Sequence, residues 1–438
     1  MKKNELFSIA EEILKLSDMN TDVVIINNEY LFQRFANSFI HQPTHEENYL
    51  IGIRIRSENK FSVIWTNNKD NVSDLLKRAK EELIESEYIH PLTKKEIPVY
   101  NFAYDNFEID SDEGGRIIKE IIKIGGDYKS FGNFYKGFQR ILMLSSDGFE
   151  GYNQVSICHL TINYINKSSA WSEYSSYKLS DILENYENVA KDCLNKAKLN
   201  ENISEIEPGK YTVILSSLAL KDILDIMNYS AFSSESYYEG TSPFSNKLNQ
   251  KLFSEKINLY EEPLNIFPIG FDFEGNIKKN FPVIENGILK NIALNNKYSK
   301  LLNLENNACA NIPFYEIPFF FHLHLKGGNK SLEDIIKETE RGILVNRVWY
   351  VNVVEPRSLT LTGMTRDGLY LIENGKVKSG LKNMRFTQSF IEAFNNVEDI
   401  SSNEKLISSS NFYEFFPRGF ILPDIKISNF QFISKTDF

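Results

Sequence analysis

The chain has 438 residues, 42% of them hydrophobic and 25% charged, a composition that excludes a disordered or membrane-embedded protein and predicts a sizeable core. It carries 49 basic against 59 acidic side chains, a formal charge of −10, so its net field repels phosphate backbones and anionic lipid; neither nucleic acid nor membrane is an expected partner. No stretch reaches the roughly 18 uninterrupted apolar residues of a spanning helix, and Glu5, Glu11 and Glu12 stand where a signal peptide needs an apolar core, so the expected location is cytoplasmic.

Phe7, Ala10, Ile13 and Leu14 recur at helical spacing. Val23, Val24, Ile25 and Ile26 then form a β-branched run, and 50–56 alternates large apolar with polar residues, predicting a helix followed by sheet. A second helix is predicted from Ser73 as N-cap through Leu75, Leu76, Ala79 and Leu83. A third follows Ser111 with Ile117, Ile118, Ile121 and Ile122 and ends at Gly125-Gly126. Strands near 141–144 and 155–164 precede a long helix over 180–198, and the polar stretch 200–209 reads as a linker. Cys158, Cys193 and Cys309 lie far apart with no CxxC pair, excluding a disulfide framework or cysteine-rich zinc module. Cys193 shares a helical stripe with Ile182, Tyr186, Val189 and Ala190 and reads as a core residue.

The second half opens with a β run at 211–215 and a helix whose buried face is Leu220, Ile223, Leu224 and Met227. The tetrapeptide IENG occurs twice, at 284–287 and 372–375. Asn-Gly supplies the two positive φ angles of a type I′ turn, so each copy predicts a hairpin. The run 331–334 (SLED) resembles a capping box, with Gly342 at the C-terminal position of that helix. The fold class expected is α+β in two domains: an N-terminal helix/sheet domain over 1–205 and a more β-rich domain with antiparallel hairpins over 206–438.

Several histidines invite a metal reading. His41 and His45, with Glu46 and Glu47 after them, have H-x3-H spacing, but Pro43 disfavours the helix such spacing requires, which leaves a solvated loop. His322 and His324 sit in an aromatic run and point to one face of a half-buried strand ending at Gly327-Gly328, where a third ligand would have to come from elsewhere. Asp272-Phe273-Glu274-Gly275 reads as a turn rather than a metal or phosphate loop. GxSxG, Walker A and GxGxxG patterns are absent, so serine acyl transfer, P-loop hydrolysis and dinucleotide binding have no support.

Seven segments in order resemble one family, the TldD/TldE proteins, the second also called PmbA. They are 211–215 (YTVIL) with its helix, 240–244 (GTSPF), 270–275 (GFDFEG), 282–290 (PVIENGILK), 341–345 (RGILV), 361–363 (LTG) and 371–376 (LIENGK). The resemblance implies a peptide-cleaving assembly in which a TldD-like subunit carries zinc and a TldE-like subunit pairs with it. The TldD signature HExxxH falls, by its distance from Gly240, on Asp225 to Ser230. Asp225 and Ser230 replace the two imidazoles and Ile226 replaces the glutamate that acts as general base. The family's C-terminal cysteine ligand is missing too, since 411–421 contains no cysteine.

What the resemblance implies is therefore a TldE/PmbA-like subunit that holds no metal and has no catalytic residues, in a heterodimer with a TldD-like zinc subunit that processes peptides. Asp225, Ile226 and Ser230 are its vestigial motif positions, and Tyr229, Thr241 and Ser242 are expected to face the substrate chamber. Aromatic residues clustered over 314–321, 386–394 and 412–416 offer surface for the partner. The alternatives are a stand-alone metallopeptidase with a displaced site at His322 and His324, or a structural homodimer with no peptidase role.

Overall fold

The computed structural model describes residues 1–408 and 418–436. Seven antiparallel strands form the first sheet, in spatial order Ile84–Glu85, Lys60–Thr66, Phe39–Ser57, Asn20–Ala36, Lys129–Ser145, Glu150–Ile165 and Ser169–Ser176. The β-branched run predicted at its centre is buried on both faces. Val23 and Ile25 point to one side, where they pack with Ile51, Ile53, Ile55 and the helices Lys3–Leu16 and Val72–Glu81. Val24 and Ile26 point to the other, where with Ile141 and Met143 they meet Ile269, Phe271 and Phe273 from the second half. The helices Asp112–Gly125 and Leu179–Leu199 cover the other end of the sheet. Cys193 is buried there, its thiol donating to the Ala170 carbonyl at 3.2 Å.

Two further sheets build the second half. One has six strands, ordered Ile288–Leu289, Phe281–Glu285, Leu259–Glu261, His322–Leu325, Gly419–Leu422 and Lys405–Ser408. The other has eight. Along its path Arg341–Glu355, Gly209–Leu215, Ile425–Lys435, Met384–Ser389 and Thr360–Glu373 follow one another, and the last pairs back onto the first, closing a ring. Lys376–Leu381, Ile203–Ser204 and Val397–Ile400 attach to it. The fold is α+β, with antiparallel pairing interrupted by three parallel pairs, Arg341–Glu355 with Gly209–Leu215, His322–Leu325 with Gly419–Leu422, and Lys376–Leu381 with Ile203–Ser204.

Both IENG copies are hairpin turns. Asn286 and Gly287 have φ of 49° and 75°, and Asn374 and Gly375 have 49° and 69°. Ser331 caps the helix Leu332–Lys337 by accepting from the Asp334 amide at 3.1 Å. Phe386, Phe390 and Phe394 lie in the core of the second half, and 412–416 lies outside the described residues.

Four local expectations are corrected. His41 to His45 are not in a loop but in the strand Phe39–Ser57. Pro43 is tolerated because the outer neighbour Lys60–Thr66 covers only residues 51–57, leaving 39–50 paired on one side, where a missing amide costs no ladder bond. Gly342 belongs to the strand Arg341–Glu355, beyond the helix it was expected to end. Ser73 is inside its helix, which a 3-10 turn capped by the Asn68 side chain precedes. The stretch 200–209 is no free linker, since Ile203–Ser204 joins the edge of the eight-stranded sheet and the Asn200 side chain donates to the Ser169 carbonyl at 2.8 Å.

Candidate functional site

The helix Ser217–Met227 begins at Ser216, whose hydroxyl accepts from the Ala219 amide at 3.3 Å, while the Ser217 amide donates to Asp424 at 2.9 Å. Ala219, Leu220, Ile223, Leu224 and Met227 are buried, as the spacing predicts. Lys221, Asp222 and Asp225, one turn apart on another face, are half-buried.

These three charges form an ion-pair cluster. Lys221 Nζ lies 3.1 Å from Asp222 and 3.3 Å from Asp225, and Arg418 Nη1 reaches the other oxygen of Asp225 at 3.2 Å. Burial by itself favours a neutral amine at Lys221, but Asp222 and Asp225 outweigh it and hold the ammonium above its usual range. Burial raises the Asp222 carboxyl. Ile226 packs against the core. After Met227 the helix relaxes into a π-turn, Asn228–Phe232, and the Ser230 hydroxyl donates to the Ile226 carbonyl at 2.6 Å. Asn228 locks this turn to the chain before His322 by donating to the Phe320 carbonyl and accepting from the Phe320 amide.

The donor set at the motif positions does not fit zinc. A structural or catalytic zinc takes three or four nitrogen, sulfur or carboxylate ligands at about 2.0–2.3 Å. Here a single carboxylate is shared by two cations, the hydroxyl is spent on the backbone, and the third position is an apolar side chain. A dication placed at Asp225 would meet two positive charges, each opposing it on the order of 4 kcal/mol per unit of charge at 4 Å in an effective dielectric near 20.

Tyr229 projects beside Asp225 and is 49% exposed. Thr241 is also exposed, its hydroxyl donating to the Ser236 carbonyl at 3.2 Å. Ser242, grouped with them by sequence, is buried instead. Its hydroxyl donates to the Ala231 carbonyl at 2.6 Å and accepts from the Phe244 amide, holding the turn together.

His322 and His324 lie in a strand that is buried, not half-buried. Each is held by its own glutamate. His322 Nδ1 is 3.2 Å from Glu261, which also accepts from the Phe321 and His322 amides. His324 Nδ1 is 2.9 Å from Glu262, and its Nε2 is 2.9 Å from Glu404. Lys326 completes this cluster at 2.6 Å from Glu262. Burial raises the Glu262 carboxyl, but hydrogen bonds from His324, Lys326 and Asn265 win and bring it down to about 2. Among the described residues no three His, Cys, Asp or Glu side chains converge as a metal site. Arg418 joins the two regions, since its guanidinium lies 6.0 Å from the ring of Phe321, next to His322.

Sequence reasoning singled out 225–230 but missed Lys221, Asp222 and Arg418. The first two are visible as an i, i+1, i+4 charge set with Asp225; nothing local marks Arg418.

A closed, partly parallel eight-stranded sheet behind the helix Ser217–Met227 frames this ion-pair cluster. The family model described as the PmbA/TldA metallopeptidase C-terminal domain matches residues 208–434. The chain belongs to the TldD/PmbA family. Its fold matches that of TldE from Thermococcus kodakarensis with a TM-score of 0.83 at 18% identity, over 98% of this chain and 99% of that one. An uncharacterized protein of Methanocaldococcus jannaschii is 23% identical over 83% of this chain and 87% of its own length. A metalloprotease TldD homolog of Buchnera aphidicola is 23% identical over 55% of this chain and 51% of its own.

Proposed function

We propose that this chain is the TldE/PmbA-like, metal-free subunit of a peptide-processing assembly whose zinc is carried by a TldD-like partner. The observation that carries this reading is the ion-pair cluster of Lys221, Asp225 and Arg418 at the place where a zinc-binding member would present its first imidazole. Two cations there supply positive charge without a metal, and Ile226 leaves no group to take a proton from water. The exposed Tyr229 and Thr241 are assigned to the wall of the substrate chamber. Trp349 and Tyr350, 42% and 66% exposed on the strand Arg341–Glu355, give aromatic surface of the kind enriched at interface cores, and we assign them to the docking of the partner.

The test is reconstitution. The purified chain, alone and mixed with a TldD-like protein, is assayed for bound zinc and for cleavage of unfolded peptides. The expected result is a mixed complex with zinc on the partner, cleavage only in the mixture, and no stoichiometric zinc on this chain. Zinc bound to the isolated chain and lost in His324→Ala would instead support the displaced metal site, and a homodimer inert toward every partner would support the structural reading.

A further inference from the structure

Arg54 and Glu274 come from different halves of the chain and line one cleft. Its enclosed room is about 40 Å3, space for a few waters or one small terminal group rather than for a large ligand. Its walls are aromatic, with Phe61 and Tyr88 from the first half and Phe314 and Tyr315 from the second.

The charges in the cleft are unequally satisfied. Arg54 is bound to the buried Asp22 at 2.8 Å, with its guanidinium 5.1 Å from the centre of the Phe314 ring. Lys297 is paired with Glu316 at 2.5 Å. Lys278, behind the cleft, donates to the Ala308 carbonyl at 3.1 Å. Glu274 takes part in no ion pair among the described residues; its Oε2 accepts only the Asn296 amide, at 2.7 Å. Asp272 sits close by in the same turn, its Oδ1 accepting from the Glu274 and Asn276 amides. Burial, then the charge of Asp272, push the Glu274 carboxyl up to about 8, against the smaller opposing effect of Arg54.

We propose that this cleft binds an alkylammonium group, with the Glu274 carboxylate as its counter-ion and the rings of Phe61 and Tyr315 as its walls, since the faces of Tyr88 and Phe314 already carry Lys300 and Arg54. An anion would have to compete with Asp22 and Glu316 for cations already paired. A metal ion would need a third ligand, and no such trio exists among the described residues. An organic cation needs one carboxylate and aromatic faces, which attract it through the ring quadrupole. On binding, the carboxyl gives its proton to solvent and the ammonium takes the proton's place, so charge balances. A lysine side chain and a peptide's amino terminus both supply such an ammonium. This site is separate from the cluster at Asp225 and needs no partner subunit.

The test is calorimetric titration of the full chain with three probes: Nα-acetyl-lysinamide, with only a side-chain ammonium; norleucinamide, with only an α-ammonium; and Nα-acetyl-norleucinamide, which has neither. The expected result is binding of at least one charged probe and none of the neutral one. Proton release should be seen as heats that differ between buffers, and affinity for the lysine probe should rise about tenfold per pH unit below the titration of Glu274. Glu274→Gln should remove both binding and proton release, and Phe61→Leu should weaken binding several-fold while keeping the proton release. The charged probe that binds identifies the source of the ammonium. Binding of the neutral probe as tight as that of the charged ones, no binding at all, or unchanged binding in Glu274→Gln would overturn the proposal. If Glu274→Gln fails to fold, absence of buffer-dependent heat in the parent chain overturns it equally.

Discussion

Asp225 and Arg418 meet at 3.2 Å, although the helix of one and the strand entry of the other lie in distant parts of the sequence. The contact leaves one carboxylate answering two cations. Placing imidazoles at 225 and 230 should therefore not by itself create a zinc site. In the double substitution Asp225→His, Ser230→His, Lys221 and Arg418 remain as repelling charges and Ile226 still supplies no acid. Zinc analysis after dialysis should give well under one equivalent per chain; a tightly held equivalent would show that the two cations do not govern this site.

Asp22 is wholly buried and accepts from Arg54 and Arg56, each at 2.8 Å, and from the Ser145 hydroxyl at 2.7 Å. Removing one partner of a buried charge pair leaves the others uncompensated, so Asp22→Ala should cost about 3–5 kcal/mol in denaturant unfolding. It should also loosen Arg54 in the cleft, and weaker binding of ammonium probes would report that.

Two glutamates predict opposite pH dependences. The folded chain holds Glu262 at about 2 against a usual value of 4.5. Its contribution is complete above that usual value and is lost as pH falls toward about 2. Glu274 behaves in reverse. The unfolded chain ionises it near 4.5 while the folded chain keeps the proton to about 8, so between these values the unfolded state binds fewer protons and stability falls as pH rises, by up to about 1.4 kcal/mol per pH unit. Asp272, also raised by burial, acts in the same sense. Unfolding midpoints followed across pH should lose the acid slope in Glu262→Gln and part of the neutral slope in Glu274→Gln.

Gly287 is at φ 75°, and a Cβ there would lie 2.1 Å from the Phe253 carbonyl oxygen. Backbone is not free to yield, so Gly287→Ala should destabilise by more than the roughly 1 kcal/mol of a positive-φ strain alone. Gly240, at φ 74° with open space where a Cβ would stand, should show only the strain. Comparing the two by thermal unfolding checks the distinction.

The hairpins were legible because Asn-Gly encodes its own backbone angles, and the helix Ser217–Met227 because its apolar residues repeat at the helical period. The departure of 225–230 from the HExxxH pattern was legible because a motif can be counted. The strand Phe39–Ser57 was legible only over 50–56; residues 39–49 were not, since they are paired on one side only and so tolerate Pro43, two histidines and two glutamates without alternation. The cleft was hidden for another reason. Asp272 to Gly275 does form the turn its residues predict, with Asp272 spent on backbone amides, but Glu274 lines its cleft with Arg54 and Phe61, which only the folded chain brings near. Arg418 escaped notice because an ion pair between a helix and a strand entry far along the chain leaves no periodic trace.

The apolar contact of Val24, Ile26 and Met143 with Ile269, Phe271 and Phe273 has a mechanical consequence. Each such side chain withdrawn from water is worth about 1.5–3 kcal/mol, so the two halves are held together by this seam and not by the covalent connector alone. A protease nick at 205–208 would leave a clipped molecule that still sediments as one particle and comes apart only in denaturant.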